Sequence, residues 1–201
     1  MGDYTLYQPL TRSDRITVVL YRSGIALTCF LLAAAAVLVA ASPAAVTGGV
    51  VPLYFDLFLA LLYLASGLSV FFIHLYIGSF KRKLIGLYVI SLAALAALFL
   101  KGGGDVFSFI SGTPPAALLF LPLAGCIGFI AAKEAFCFRL SEGYLLAIAM
   151  PLYLAAFSTG GMGKAGTESG LLFIAALYVL FTFRKIFMPL HCDIGDKSAY
   201  R

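Results

Sequence analysis

The stretch that decides the fold is Leu53–Lys83, LYFDLFLALLYLASGLSVFFIHLYIGSFKRK, an apolar run with Asp56 near its start and His74 near its end, halted by three consecutive cations. About 20 apolar residues at 1.5 Å each cross a hydrocarbon core of roughly 30 Å, so the run reads as a membrane-spanning helix. A Lys-Arg-Lys cluster stays on the cytoplasmic side, which sets the direction of crossing. An acid and an imidazole are costly inside hydrocarbon, which makes Asp56 and His74 the first intramembrane polar candidates.

Working outward, the same pattern recurs. Hydrophobic residues make up 62% of the 201 and charged residues 11%, against about a quarter charged in soluble domains. Mean hydropathy is +1.02. The expected class is therefore all-α, a polytopic membrane bundle of six transmembrane helices with N and C termini cytoplasmic. The spans are expected at about 23–42, 53–78, 83–100, 116–132, 143–158 and 170–188. A cytoplasmic segment, 1–22, precedes the 23–188 bundle, and a cytoplasmic tail, 189–201, follows it. The run from Ser23 to Ser42 exceeds the roughly 7–15 residues of a signal-peptide core and is expected to stay as an uncleaved helix. Thr11 or Ser13 can cap a juxtamembrane helix leading into it.

Charge placement checks the topology. Of the 14 Lys and Arg residues, 12 fall in the four segments assigned to the cytoplasm, and only Lys101 and Lys164 fall in the opposite loops. That bias follows the positive-inside rule. It also accounts for the net charge of +5 without nucleic acid, since the cations flank apolar runs and form no continuous basic face. Between the spans, Pro43–Pro52 carries turn chemistry. Val106–Gly112 is expected as an interfacial or re-entrant turn, and Thr113-Pro114-Pro115 as the start of the fourth span. Pro122 and Pro151 are expected to bend their helices.

Few groups carry chemistry. Asp56 and His74 share a helix face but stand about 27 Å apart along it, so each needs a different partner. Together they suggest a proton or ion path with an acid at one mouth and an imidazole at the other; singly, they are hydrated groups near the two interfaces. His74 is also where an axial ligand to chlorophyll or haem would stand. Cys137, His191 and Cys192 share the cytoplasmic side and could supply soft-metal ligands, but without ligand spacing no metal site is expected. Asp193 and Asp196 are expected to solvate the tail. TGGMGKAG, 159–166, fails as a phosphate-binding loop because Ala165 replaces the needed hydroxyl and no strand precedes it.

The remaining polar feature is KEAFCFRLSEG, 133–143. Lys133, Glu134, Phe136, Cys137, Phe138 and Arg139 combine balanced charge with aromatic side chains, the composition of an interfacial anchor or a docking patch for a membrane protein partner. Before it, Ala124 and Gly128 form a small-residue helix-packing surface. With KEAFCF, Gly125, Gly128 and the loop Gly160-Gly161-Met162-Gly163-Lys164, the chain resembles a family of uncharacterised cyanobacterial and plastid integral membrane proteins, domain of unknown function 2301. The resemblance covers about Arg15 to Pro189. It implies a six-helix protein of a thylakoid or plasma membrane and names no activity. The expected function is a non-enzymatic accessory, assembly or scaffold component, embedded in the lipid bilayer and using no cofactor. The alternative is a small-solute or ion transporter or channel using Asp56 and His74.

Overall fold

The computed structural model describes residues 10–41 and 50–194, with side chains from Tyr54 onward in the second segment. The turn expected over Pro43–Pro52 lies largely outside these residues, as does the tail from 195. Helix α1 runs over Arg12–Ala41, α2 over Val50–Phe72, α3 over Gly78–Gly102, and α4 over Val106–Gly112. A 3-10 segment, Pro114–Phe120, leads into α5, Leu121–Phe138, followed by α6, Ser141–Ser158, α7, Lys164–Ile186, and the short α8, His191–Ile194. Six helical stretches are long and apolar enough to cross a membrane.

Helix ends differ from expectation where a polar group joins the helix. Helix α1 starts at Arg12, well before residue 23, because Thr11 and Asp14 form a reciprocal cap. The Thr11 N–H donates to Asp14 Oδ2 at 2.8 Å and the Asp14 N–H to Thr11 Oγ1 at 3.2 Å, so two otherwise unsatisfied donors find acceptors. At 30 residues α1 is about 45 Å long, which exceeds the hydrocarbon core. Lys81, Arg82 and Lys83 lie inside α3 instead of ending α2. Residues 73–77 form the connection, so His74 stands outside the second span rather than within it.

At the other end, α4 is a short helix capped by Asp105, whose side chain accepts from the Ser108 N–H at 2.9 Å. Hydrogen bonding to the charged form, from the Ser108 side chain first and its N–H second, holds the Asp105 carboxyl below its ordinary range. Val106 and Ile110 are buried and Phe107 meets Phe55 edge to face, so the segment caps the bundle. Pro122 falls in the first turn of α5, directly after the 3-10 segment, where a proline fits the start of a helix. Pro151 stands inside α6.

Two close seams organise the bundle. A Cβ added at Gly143 of α6 would lie 2.3 Å from the Ala131 carbonyl oxygen of α5, and one at Gly128 would lie 3.2 Å from Ala147 Cα. The expected small-residue face, with Ala124 buried beside Gly128, therefore packs on α6. The second seam joins α1 to α2, where a Cβ at Gly24 would come 2.7 Å from the Ala65 carbonyl oxygen. Small residues at these crossings let backbones approach closely, the main source of attraction between helices in lipid.

Candidate functional site: a buried ion cluster and the groove beside it

The start of α1, the ends of α2, α5 and α7, the start of α6 and all of α8 meet at one end of the bundle, the end that charge bias assigns to the cytoplasm. Every buried charged side chain among the described residues is there: Arg22, Glu134, Glu142, Lys185 and Asp193. Arg22 lies about 29 Å along α1 from Ala41, at the edge of a hydrocarbon core of roughly 30 Å. The charges thus sit at headgroup depth, sealed by protein.

Glu134 is the centre. Its side chain is 0% exposed, and the Tyr21 hydroxyl donates to Oε1 at 2.6 Å. Lys133 Nζ donates to the same oxygen at 2.7 Å. Lys185 Nζ stands 2.5 Å from Oε2; that contact is an ion pair by distance, while its angle falls outside hydrogen-bond geometry. Lys185 also donates to Asp193 Oδ1 and sits 4.1 Å from the centre of the Phe138 ring. Arg22 Nε donates to Asp193 Oδ2 at 2.7 Å. Its remaining nitrogens donate to the carbonyls of Ile186, at the end of α7, and of Met188 and Pro189 just beyond it. A second pair, Arg184 to Glu142 Oε2 at 2.8 Å, ties α7 to α6.

An isolated ion at such burial would cost several kcal/mol, and mutual pairing with additional hydrogen bonds is what makes it tolerable. Asp193 ties α8 to α1 and α7 through Arg22 and Lys185, next to the buried Ile194.

Several sequence expectations change here. Asp193, expected to solvate the tail, is 5% exposed and doubly paired. KEAFCFRLSEG is not an interfacial linker: α5 continues through Phe138, and only Arg139-Leu140 separate it from α6. Arg139 makes the turn at φ 56°, the left-handed conformation usual just past a helix end. The patch consequently splits. Glu134 faces inward with Lys133 beside it, Phe138 underlies Lys185, and Phe136, Cys137 and Arg139 remain exposed. Signals for the cluster existed in the sequence as cations and acids flanking the spans, but nothing in the spacing showed that they pair.

Asp56 and His74 belong to opposite ends of α2. Asp56 Oδ1 is buried without a partner among the described residues. His74 Nε2 meets Thr17 Oγ1 at 3.1 Å, and Nδ1 is sealed by protein. With one nitrogen engaged and the other enclosed, the ring does not fit an axial ligand for haem or chlorophyll. Burial pushes the His74 pKa down, Lys133 and Lys81 lower it further, and Asp193 and Asp14 partly offset them. No three His, Cys, Asp or Glu side chains come together in a metal-holding group among the described residues.

Beside the cluster lies a groove of about 690 Å³, lined by His74, Lys133 and Asp193 together with Ile77, Phe80, Phe136 and Cys137. Its outer rim is apolar and open, with Phe136 80% exposed and Ile77 50%. Its polar wall is His74 with Lys133 and Asp193, the two members of the ion cluster that reach it.

Comparison with known proteins agrees with this architecture and adds no activity. A protein of Haemophilus influenzae described as "Uncharacterized protein" is 29% identical over 205 residues, covering 100% of this chain and 99% of its own length. That relative is bacterial, so the cyanobacterial and plastid setting the resemblance implied has no support. No solved structure matches. Residues 68–201 match the family described as "Uncharacterized integral membrane protein (DUF2301)", and the chain, multi-pass and all-helical, belongs to that family of integral membrane proteins.

Proposed function

We propose that this protein is a non-enzymatic accessory component of a bacterial plasma membrane that acts by contact, with the groove at its cytoplasmic end as the working surface. The observation that carries this is the pairing of a rigid, ion-locked floor with an open apolar rim. Lys185 and Glu134 are fully buried and mutually paired, whereas Phe136 two residues along α5 is 80% exposed. An ion-paired cluster holds geometry, while exposed aromatic residues beside it offer binding area. The Haemophilus influenzae relative, with its full-length match, supports a plasma-membrane setting.

Transport through Asp56 and His74 has less support. The two stand at opposite ends of α2, and all the buried charges among the described residues gather at one end of the bundle, where a conducting path needs polar groups near the midplane. The contact reading is tested by mild-detergent extraction from native membranes and native gel electrophoresis. Migration in a stoichiometric assembly, released by Phe136→Asp, is the expected result. A monomer unaffected by that substitution overturns it.

A further inference from the structure

We propose that the groove is a binding site for an anionic phospholipid of the cytoplasmic leaflet, with the headgroup phosphate at Lys133 and an acyl chain over Ile77, Phe80 and Phe136. The inference rests on the groove being the working surface and goes further by naming what fills it.

Charge complementarity carries it. The cluster holds three cations, Arg22, Lys133 and Lys185, against two carboxylates, Glu134 and Asp193, so one positive charge is left over. Lys133 is the cation of that set whose side chain keeps the most exposure, 13% against 9% for Arg22 and 0% for Lys185, and it lines the groove. Lys81 stands near enough to His74 to act on its ring. Lys81 follows Phe80 in α3, and Asp14 acts on the same ring with the opposite sign, so the two offset each other and the excess stays at one positive charge. A phosphate in the groove would neutralise the excess without disturbing any existing pair.

The shape agrees with the charge. About 690 Å³ lies within the range of small-ligand sites and holds a headgroup with its first methylenes. A soluble anion would satisfy Lys133 and leave the apolar rim uncovered. A neutral lipid would cover the rim and leave the charge. Only an anionic amphiphile meets both, and basic pockets between helices on the cytoplasmic side are where such headgroups are held.

The test uses the full chain in detergent micelles and native mass spectrometry against an equimolar mixture of phosphatidylglycerol and phosphatidylcholine. The expected result is retention of one phosphatidylglycerol with at least a fivefold preference. Lys81→Gln, which touches no buried pair, should cut the preference severalfold, and Lys133→Gln should abolish it. Because Lys133→Gln disturbs Glu134, Phe136→Ala supplies a variant at an exposed site. It should weaken retention of lipid while thermal unfolding in lipid-free detergent stays unchanged. Equal retention of the two lipids, or protection by inorganic phosphate equal to that by phosphatidylglycerol, overturns the inference. Loss of lipid preference in a chain that still migrates in its assembly removes the lipid and leaves the contact function. A monomer that keeps the preference does the reverse.

Discussion

At the scale of single residues, Glu134 decides more than any other side chain. Replacing it with Ala leaves Lys185, 0% exposed, beside an empty space, and removing one partner of a buried ion pair costs roughly 3–5 kcal/mol. Glu134→Ala should therefore lower unfolding stability in micelles by about that amount. In Glu134→Met with Lys185→Met, Asp193 keeps Arg22 and Lys133 can turn outward. That double variant should cost about 1–3 kcal/mol less than the sum of its singles, as coupled neighbours do. His74 gives a pH signature. Its folded pKa lies below the ordinary 6.5, so the unfolded chain binds the proton first as pH falls. The neutral ring's contribution is complete above about pH 6.5 and is lost as pH drops through the folded value. Unfolding followed from pH 8 to pH 5 should show this decline, and His74→Gln should flatten it.

At the scale of elements, the α5–α6 seam and the turn joining the two helices hold α5, whose residues from Phe129 to Phe138 line the groove. A Cβ at Gly143 would stand 2.3 Å from a backbone oxygen, which no rotamer change relieves, so Gly143→Val should destabilise by at least 1–3 kcal/mol. Gly86 in α3 has nothing within 4 Å of a built Cβ. Gly86→Ala should be neutral or stabilise by up to about 1 kcal/mol through helix propensity. The contrast separates packing from backbone entropy in the same thermal-unfolding assay. Arg139 occupies the left-handed region at φ 56°, a conformation costing an L-residue about 1–2 kcal/mol. Arg139→Gly should raise stability, which would show the turn's conformation to be structural and its charge dispensable.

At the scale of the whole molecule, orientation follows from Cys137. It is exposed at the groove end, whereas Cys29 and Cys126 are buried in the bundle. A membrane-impermeant maleimide should label Cys137 in inverted membrane vesicles and not in intact cells; the opposite pattern would reverse the topology. The number of spans and their order were legible from residues such as Leu53–Phe72, and the expected orientation rests on the charge bias at Lys81–Lys83. Hydropathy and charge bias are properties of local composition, and the bilayer reads them locally. The small-residue face at Ala124 and Gly128 was legible too, but not its partner α6. The pairing within the ion cluster was not legible. Tyr21 and Glu134 are 113 residues apart and Arg22 and Asp193 are 171 apart, and no periodicity in one segment reports on a charge in another. The same terminal lysines and acids that mark a cytoplasmic boundary serve equally as a solvated rim or as a buried lock. Sequence alone therefore determined that charges gather at alternate ends of the spans, because water and the membrane act on each loop separately. The tertiary packing of α1, α5, α7 and α8 decided which of those charges leave water, because burial is a property of neighbours in space.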